Sequence, residues 1–213
     1  MVIAIDGPAG AGKSTVARGV AEALGFTYLD SGAMYRSVAL AAEERGVDLD
    51  DDAVMGELAR GLTIELGDGV LLDGRDVSAA IRAPRVSAAA SRVSVHPRVR
   101  EAMVKRQREL IDGGDYVAEG RDIGTVVSPD SPLKVFLTAS EEERARRRAA
   151  DTSEPAGAVL EQLRARDDRD RGREHGALRP AEDSVELDTT GLSAEEVVAK
   201  VVALARERGL GPR

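Results

Sequence analysis

The chain has 213 residues, 42% hydrophobic and 32% charged, a balance that builds a soluble globular protein with one good core. The formal net charge of −8 argues against a nucleic acid polymer as partner, since phosphate backbones attract basic surfaces. There is no cysteine, which excludes disulfides, thiol catalysis and thiolate metal sites, and no apolar run approaches the ~18 residues of a membrane span. No basic leader precedes the first motif, so a cytoplasmic protein is expected.

Val2 to Ile5 is a short apolar run, as a buried parallel strand would be. A glycine-rich stretch follows, then a helix from Lys13 to about Leu24. Phe26 to Leu29 reads as a second strand. Asp30-Ser31 can cap a helix running to about Arg45, where Gly46 stops it. Another helix is expected from Asp50 to about Arg60, ended by Gly61. Thr63 to Leu66 and Val70 to Leu72, separated by Gly67-Asp68-Gly69, read as a β-hairpin. Val77 to Ile81 is expected to be extended and Pro84 to Val95 helical. Roughly residues 61–92 thus form an insertion with its own small sheet. Pro97 can start a long helix to Ile111.

Tyr116 to Ala118 and Leu133 to Leu137 read as further core strands. Ser140 can cap a helix over Glu141–Ala150, with Glu143 in the capping-box position. Asp151 to Gly157 is polar and small, as a mobile connection would be. Ala158 to Asp168 is helical again, Val185 to Leu187 is a last strand, and Ser193 to Glu196 opens the final helix. Strands alternating with helices imply an α/β fold, a parallel sheet flanked by helices.

Gly7-Pro8-Ala9-Gly10-Ala11-Gly12-Lys13-Ser14 matches the P-loop pattern in full, with Thr15 next. Glycines let the backbone curl so that successive N–H groups line one anion-sized hollow. The following helix adds its positive N-terminal end. Lys13 is expected on the β- and γ-phosphates and the Ser14 hydroxyl on Mg²⁺. ATP and Mg²⁺ are therefore the expected donor and cofactor.

The absences narrow the class. The sequence has no asparagine, hence no Asn-Lys-x-Asp guanine reader. The two histidines, His96 and His175, precede Pro97 and Gly176, so no His-Arg-Asp catalytic loop of a protein kinase exists. Small kinases that phosphorylate metabolites remain. Asp30-Ser31-Gly32-Ala33-Met34-Tyr35-Arg36, Pro97-Arg98-Val99-Arg100, Gly120 to Val127 and Arg166 to Arg173 together resemble segments of bacterial cytidylate kinases, in the family's order and over nearly the whole chain. One position departs: Glu119 stands where the family's Asp-Gly-Arg-Asp has its first aspartate.

The resemblance implies a single P-loop kinase domain built on a parallel five-stranded sheet, with a monophosphate-binding insertion at about 61–92 and a helical lid at about 147–173. It implies ATP-dependent phosphorylation of CMP and dCMP to CDP and dCDP. Arg36 and Arg121 would meet the acceptor phosphate, and Ser31 and Tyr35 would line its pocket. Asp122 would receive the cytosine amine, and Arg100, helped by Ser91, would serve the ring acceptors, the pairing that donor and acceptor chemistry asks for. A plainer role for Asp122 is an internal partner for Arg121. Nine arginines lie between Arg144 and Arg173. Arg147, Arg166 and Arg173 are the expected charge neutralisers, with Asp170 and Arg166 on the ribose hydroxyls. The acceptor is already an oxyanion, so catalysis is expected from positioning and charge rather than a strong base. A monomer acting on small nucleotides, with no membrane partner, is expected. Another metabolite kinase of the same fold, such as a shikimate-type kinase, and a nucleotide-dependent binding switch are the competing readings.

Overall fold

The computed structural model describes residues 1–152 and 155–211. The chain forms two compact units, one of Met1–Leu29 with Ile111–Arg213, the other of Asp30–Leu110. It opens with β1 (Val2–Asp6), α1 (Lys13–Leu24) and β2 (Thr27–Asp30). The second unit holds α2 (Ser31–Arg45), α3 (Asp52–Gly61), β3 (Ile64–Leu66), β4 (Val70–Leu72), β5 (Arg75–Asp76), α4 (Pro84–Val93) and α5 (Pro97–Ile111). The chain returns with β6 (Tyr116–Gly120), β7 (Leu133–Thr138), α6 (Glu141–Thr152), α7 (Ala156–Arg171), β8 (Val185–Asp188) and α8 (Ala194–Glu207).

In the first unit the five-stranded sheet has the order β2-β6-β1-β7-β8, and β1 runs parallel to both β6 and β7. All of β1 is buried, and Ile3 and Ile5 are fully enclosed, each contributing about 1.5–3 kcal/mol by burial. The α1 helix turns Val16, Ala17, Val20, Ala21 and Leu24 inward at helical spacing, and α8 answers with Val197, Val201 and Ala205. The register sets Asp6 beside Gly120, so the carboxyl ends of β1 and β6 lie together. Open α/β sheets bind ligands at that edge.

In the second unit β3, β4 and β5 form a small antiparallel sheet. Its core gathers Met34, Val38, Met55, Val86 and Met103.

Several expectations change in detail. Val77 to Ile81 is not extended: β5 ends at Asp76, whose carboxylate accepts the Ser78 N–H at 2.8 Å, and a 3₁₀ turn at Ala80–Arg82 follows. That Asx turn competes with strand pairing. The third helix starts at Asp52, because Asp51 caps it by accepting from Val54. The α4 helix stops at Val93 rather than Val95. Ser140 does cap α6 through Glu143 N–H, but the reciprocal half of the box is not made. The Ser140 N–H goes to Thr190 Oγ1 at 2.9 Å, and Glu143 instead takes Arg146 and Arg147. Helix covers most of the expected connection at Asp151 to Gly157, since α6 runs to Thr152 and α7 starts at Ala156; Ser153 and Glu154 of it lie outside the described residues. The final helix has a complete capping box between Ser193 and Glu196.

Candidate active site

The phosphate loop joins β1 to α1 within the first unit. Gly7 has φ +150°, and a Cβ there would lie 2.2 Å from the Leu137 carbonyl oxygen, so only glycine fits. Gly12, at φ +86°, is the left-handed residue that admits the chain to α1. Lys13 is buried and its Nζ donates to the Pro8 carbonyl at 2.7 Å. Burial, then the nearby Arg121 charge, pushes its pKa down to about 7, against the pull of Glu119. Ser14 and Thr15 stand exposed in the first turn of α1. Gly10 and Ala11 complete the loop beside Ala9, whose N–H donates to Asp167 Oδ1 at 3.3 Å.

The arginine-rich helices split into two arrangements. Arg144 NH1 bonds the Ala9 carbonyl at 3.0 Å and Asp167 Oδ2 at 2.5 Å. This buried pair ties α6 and α7 to the loop, and sequence reasoning missed it. The partners are 23 positions apart, so no local pattern marks them. The second arrangement centres on Asp170, which is 1% exposed. Arg121 Nε donates to Asp170 Oδ2 at 2.9 Å, Arg173 bonds Oδ1, and Arg166 Nε stands 4.0 Å from Oδ2. Burial alone would raise the Asp170 carboxyl; the three guanidinium groups, Arg121 foremost, outweigh it and hold it below its usual range. Three cations against one carboxylate leave a cluster in surplus positive charge. Arg121 thus takes Asp170 as a partner.

Arg147 stands apart from that cluster. Its guanidinium bonds Glu143 Oε1, Thr189 Oγ1 and the Thr189 carbonyl, and its NH1 lies 3.5 Å from where a Gly12 Cβ would be. It lines a cavity of about 140 Å³ with Ala11, Gly12, Thr15, Val16 and Thr189. Glu119 is buried at the end of β6 and accepts the Tyr28 hydroxyl, whose ring carries Arg18 at 5.1 Å.

In the second unit Asp30 caps α2 by accepting from Ala33 at 2.8 Å and pairs with Arg36 NH2 at 2.8 Å. Gly32 leaves room for this, since a Cβ there would lie 2.9 Å from Arg36 NH1. Ser31 is buried in the first turn. Arg100, buried on α5, reaches the Tyr35 hydroxyl at 3.4 Å and lies over its ring at 5.9 Å. Ser91 is buried on α4, and its hydroxyl finds no hydrogen-bond partner among the described residues. The structure thus brings Tyr35 to Arg100 and Arg36 to Asp30.

A family model described as cytidylate kinase matches residues 3–207. The cytidylate kinase of Stutzerimonas stutzeri is 47% identical, with 98% of this chain and 96% of that protein covered. The cytidylate kinase of Caldanaerobacter subterraneus subsp. tengcongensis is 49% identical over the same shares of the two chains. Among solved structures, an unliganded sugar kinase from a Janibacter species superposes with a TM-score of 0.51 at 14% identity, covering 100% of this chain and 98% of that one, a likeness of fold alone.

Proposed function

The chain belongs to the cytidylate kinase family, and we propose that it transfers the γ-phosphoryl group of ATP to the phosphate of CMP and dCMP, giving CDP and dCDP. The observation that carries this reading is the surplus-positive cluster of Arg121, Arg166 and Arg173 about Asp170, in the same unit as a complete phosphate loop. Phosphoryl transfer between two anions needs such charge, because the transition state spreads negative charge over the moving group.

The loop amides and Lys13 hold the donor phosphates, with Thr15 beside them. Arg147 reaches the donor from the Thr189 side, and the Asp170 cluster neutralises the transferring group. The acceptor oxygen is already ionised, so no base is required and in-line positioning carries the rate. Among the described residues no three His, Asp or Glu side chains gather to hold a metal by themselves. That fits Mg²⁺, which keeps several waters and takes few protein ligands beside phosphate oxygens. The exposed Ser14 hydroxyl would hold the ion on this chain, and the ion would supply charge neutralisation at the donor phosphates.

On the acceptor side, the second unit offers Arg36 for the phosphate, Ser31 and Tyr35 along the nucleotide, and Arg100 with Ser91 for the ring acceptors. The first unit offers Arg121 for the phosphate, Asp122 for the exocyclic amine, and Asp170 with Arg166 for the ribose. Uracil carries a carbonyl where cytosine carries the amine, and a mispaired buried group costs about 1–3 kcal/mol or more. The regions at about 61–92 and 147–173 act as acceptor-binding insertion and lid. No helix among the described residues is long and apolar enough to cross a membrane. A cytoplasmic monomer acting on small nucleotides is the matching cellular form.

The test is ADP production from ATP and Mg²⁺ with CMP, dCMP, UMP, AMP, GMP, dTMP and shikimate offered singly. Strong turnover with CMP and dCMP alone is expected. Preference for another acceptor would remove the base-reading roles of Asp122 and Arg100, and inactivity with all of them would leave a nucleotide-binding switch.

A further inference from the structure

Asp6 ends β1 and is the one charged residue of an otherwise apolar, fully buried strand. Its carboxylate takes two successive backbone N–H groups of the chain beyond β6. Oδ1 accepts from Ile123 at 2.9 Å and Oδ2 from Gly124 at 2.8 Å. Those amides open a single π-helical turn, Ile123–Val127, a rare form found mostly at functional sites. The approach is close by construction: a Cβ on Gly124 would lie 3.2 Å from the Lys134 side chain and 3.5 Å from Asp6 Oδ2. Arg121 and Asp122 immediately precede the turn. Hydrogen bonds from two amides to one carboxylate are strong and directional, so they fix how the chain leaves β6.

This carboxylate is held at a cost. Burial, with the Asp122 charge adding to it, pushes its pKa up to about 6 despite the two amides and Lys13. A folded-state value raised above the unfolded one means that the native state binds the proton more tightly. The contribution of Asp6 to stability therefore falls as pH rises from its ordinary range through about 6. An apolar side chain would fill the place without that penalty. The charged groups facing Asp6 are Lys13 from α1, Asp122 before the turn and Lys134 from β7, the last bonded to Asp183 at 2.8 and 2.9 Å.

We infer that Asp6 is a positioning residue for phosphoryl transfer: by clamping the Ile123 and Gly124 amides it sets Arg121 and Asp122 for the acceptor nucleotide. The inference rests on the acceptor roles proposed above for those two residues. Asp6→Asn keeps the shape but turns an amide NH₂ toward one of the two N–H groups.

The experiment measures kcat/KM for CMP and for ATP in the wild type and in Asp6→Asn between pH 5 and 8. Above pH 7 the variant is expected to lose at least about tenfold in kcat/KM for CMP, with KM for ATP moving less than about threefold. Below pH 6 the wild-type carboxylate is itself protonated, so the ratio of the two proteins should approach one; the titration of CMP cancels in that ratio. In the wild type the Ile123 and Gly124 amide resonances should titrate together with a midpoint near 6. A folded Asp6→Asn enzyme with wild-type kinetics, or a ratio constant with pH, would overturn the inference. Amides that do not titrate together would overturn it even where the variant fails to fold. Failure of the wild type itself to phosphorylate CMP would instead overturn the proposed function, and is seen before any variant is made.

Discussion

Two arginine arrangements about buried carboxylates in the same unit differ in stoichiometry. Arg144 meets Asp167 one to one, and its guanidinium also holds the Ala9 carbonyl. Around Asp170, three arginines share one carboxylate. The first is electrically balanced and saturated by groups of the fold. The second gathers three cations about a single buried carboxylate. A balanced buried pair specifies structure, whereas a surplus of charge is what an anionic ligand completes. A third group from the same stretch, such as Arg164 with Glu141, is exposed on the helix surface and belongs to neither.

The contrast is sharpest in the variants it separates. Arg144→Ala strands the Asp167 charge and should cost about 3–5 kcal/mol of stability, a fall in Tm of roughly 6–20 °C. Turnover of the folded protein at low temperature should drop far less than about a hundredfold. Arg173→Ala should invert this, lowering kcat by about 10²–10³ while calorimetry finds Tm within a few degrees. Similar losses of turnover at matched folded fraction would erase the distinction. Next in size is a proton effect at Lys13. Its lowered pKa leaves it mostly neutral at pH 8, and bound triphosphate favours the charged form. ATP binding at pH 8 should therefore take up part of a proton, read by titration calorimetry in buffers of different ionisation enthalpy, and the uptake should vanish at pH 6. The smallest effect belongs to Arg164→Ala, where Tm should stay within roughly two degrees and kcat/KM within about twofold.

These residues also mark what the sequence could tell. The phosphate loop was legible because its glycines, lysine and serine lie within eight positions and each answers a local demand of backbone or phosphate. The strand and helix order was legible from periodicity and caps, as at Asp30 and Ser193. Misread elements were those where a short polar side chain captured a backbone group: Asp76 turned the expected extension at Val77 into a turn, and Thr190 took the Ser140 N–H from the capping box. Arg121, Arg166 and Arg173 converge on one carboxylate, yet the sequence could not foretell that both Asp170 oxygens face arginines. Nothing local distinguishes Arg144 among nine arginines, since its partners are 23 and 135 positions away. Asp6 left a signal, an acid closing an apolar strand, whose meaning depends on amides 117 and 118 positions away.

Fixed positive charge should drive phosphoryl transfer from ATP to a cytidine monophosphate. Following γ-labelled ATP with CMP in the wild type and in Lys13→Ala tests it most directly. The label is expected in CDP, one for each ADP formed, with the rate in the folded variant at least about a hundredfold lower. Label appearing mainly as inorganic phosphate, or a folded Lys13→Ala protein turning over at a near-normal rate, would contradict it.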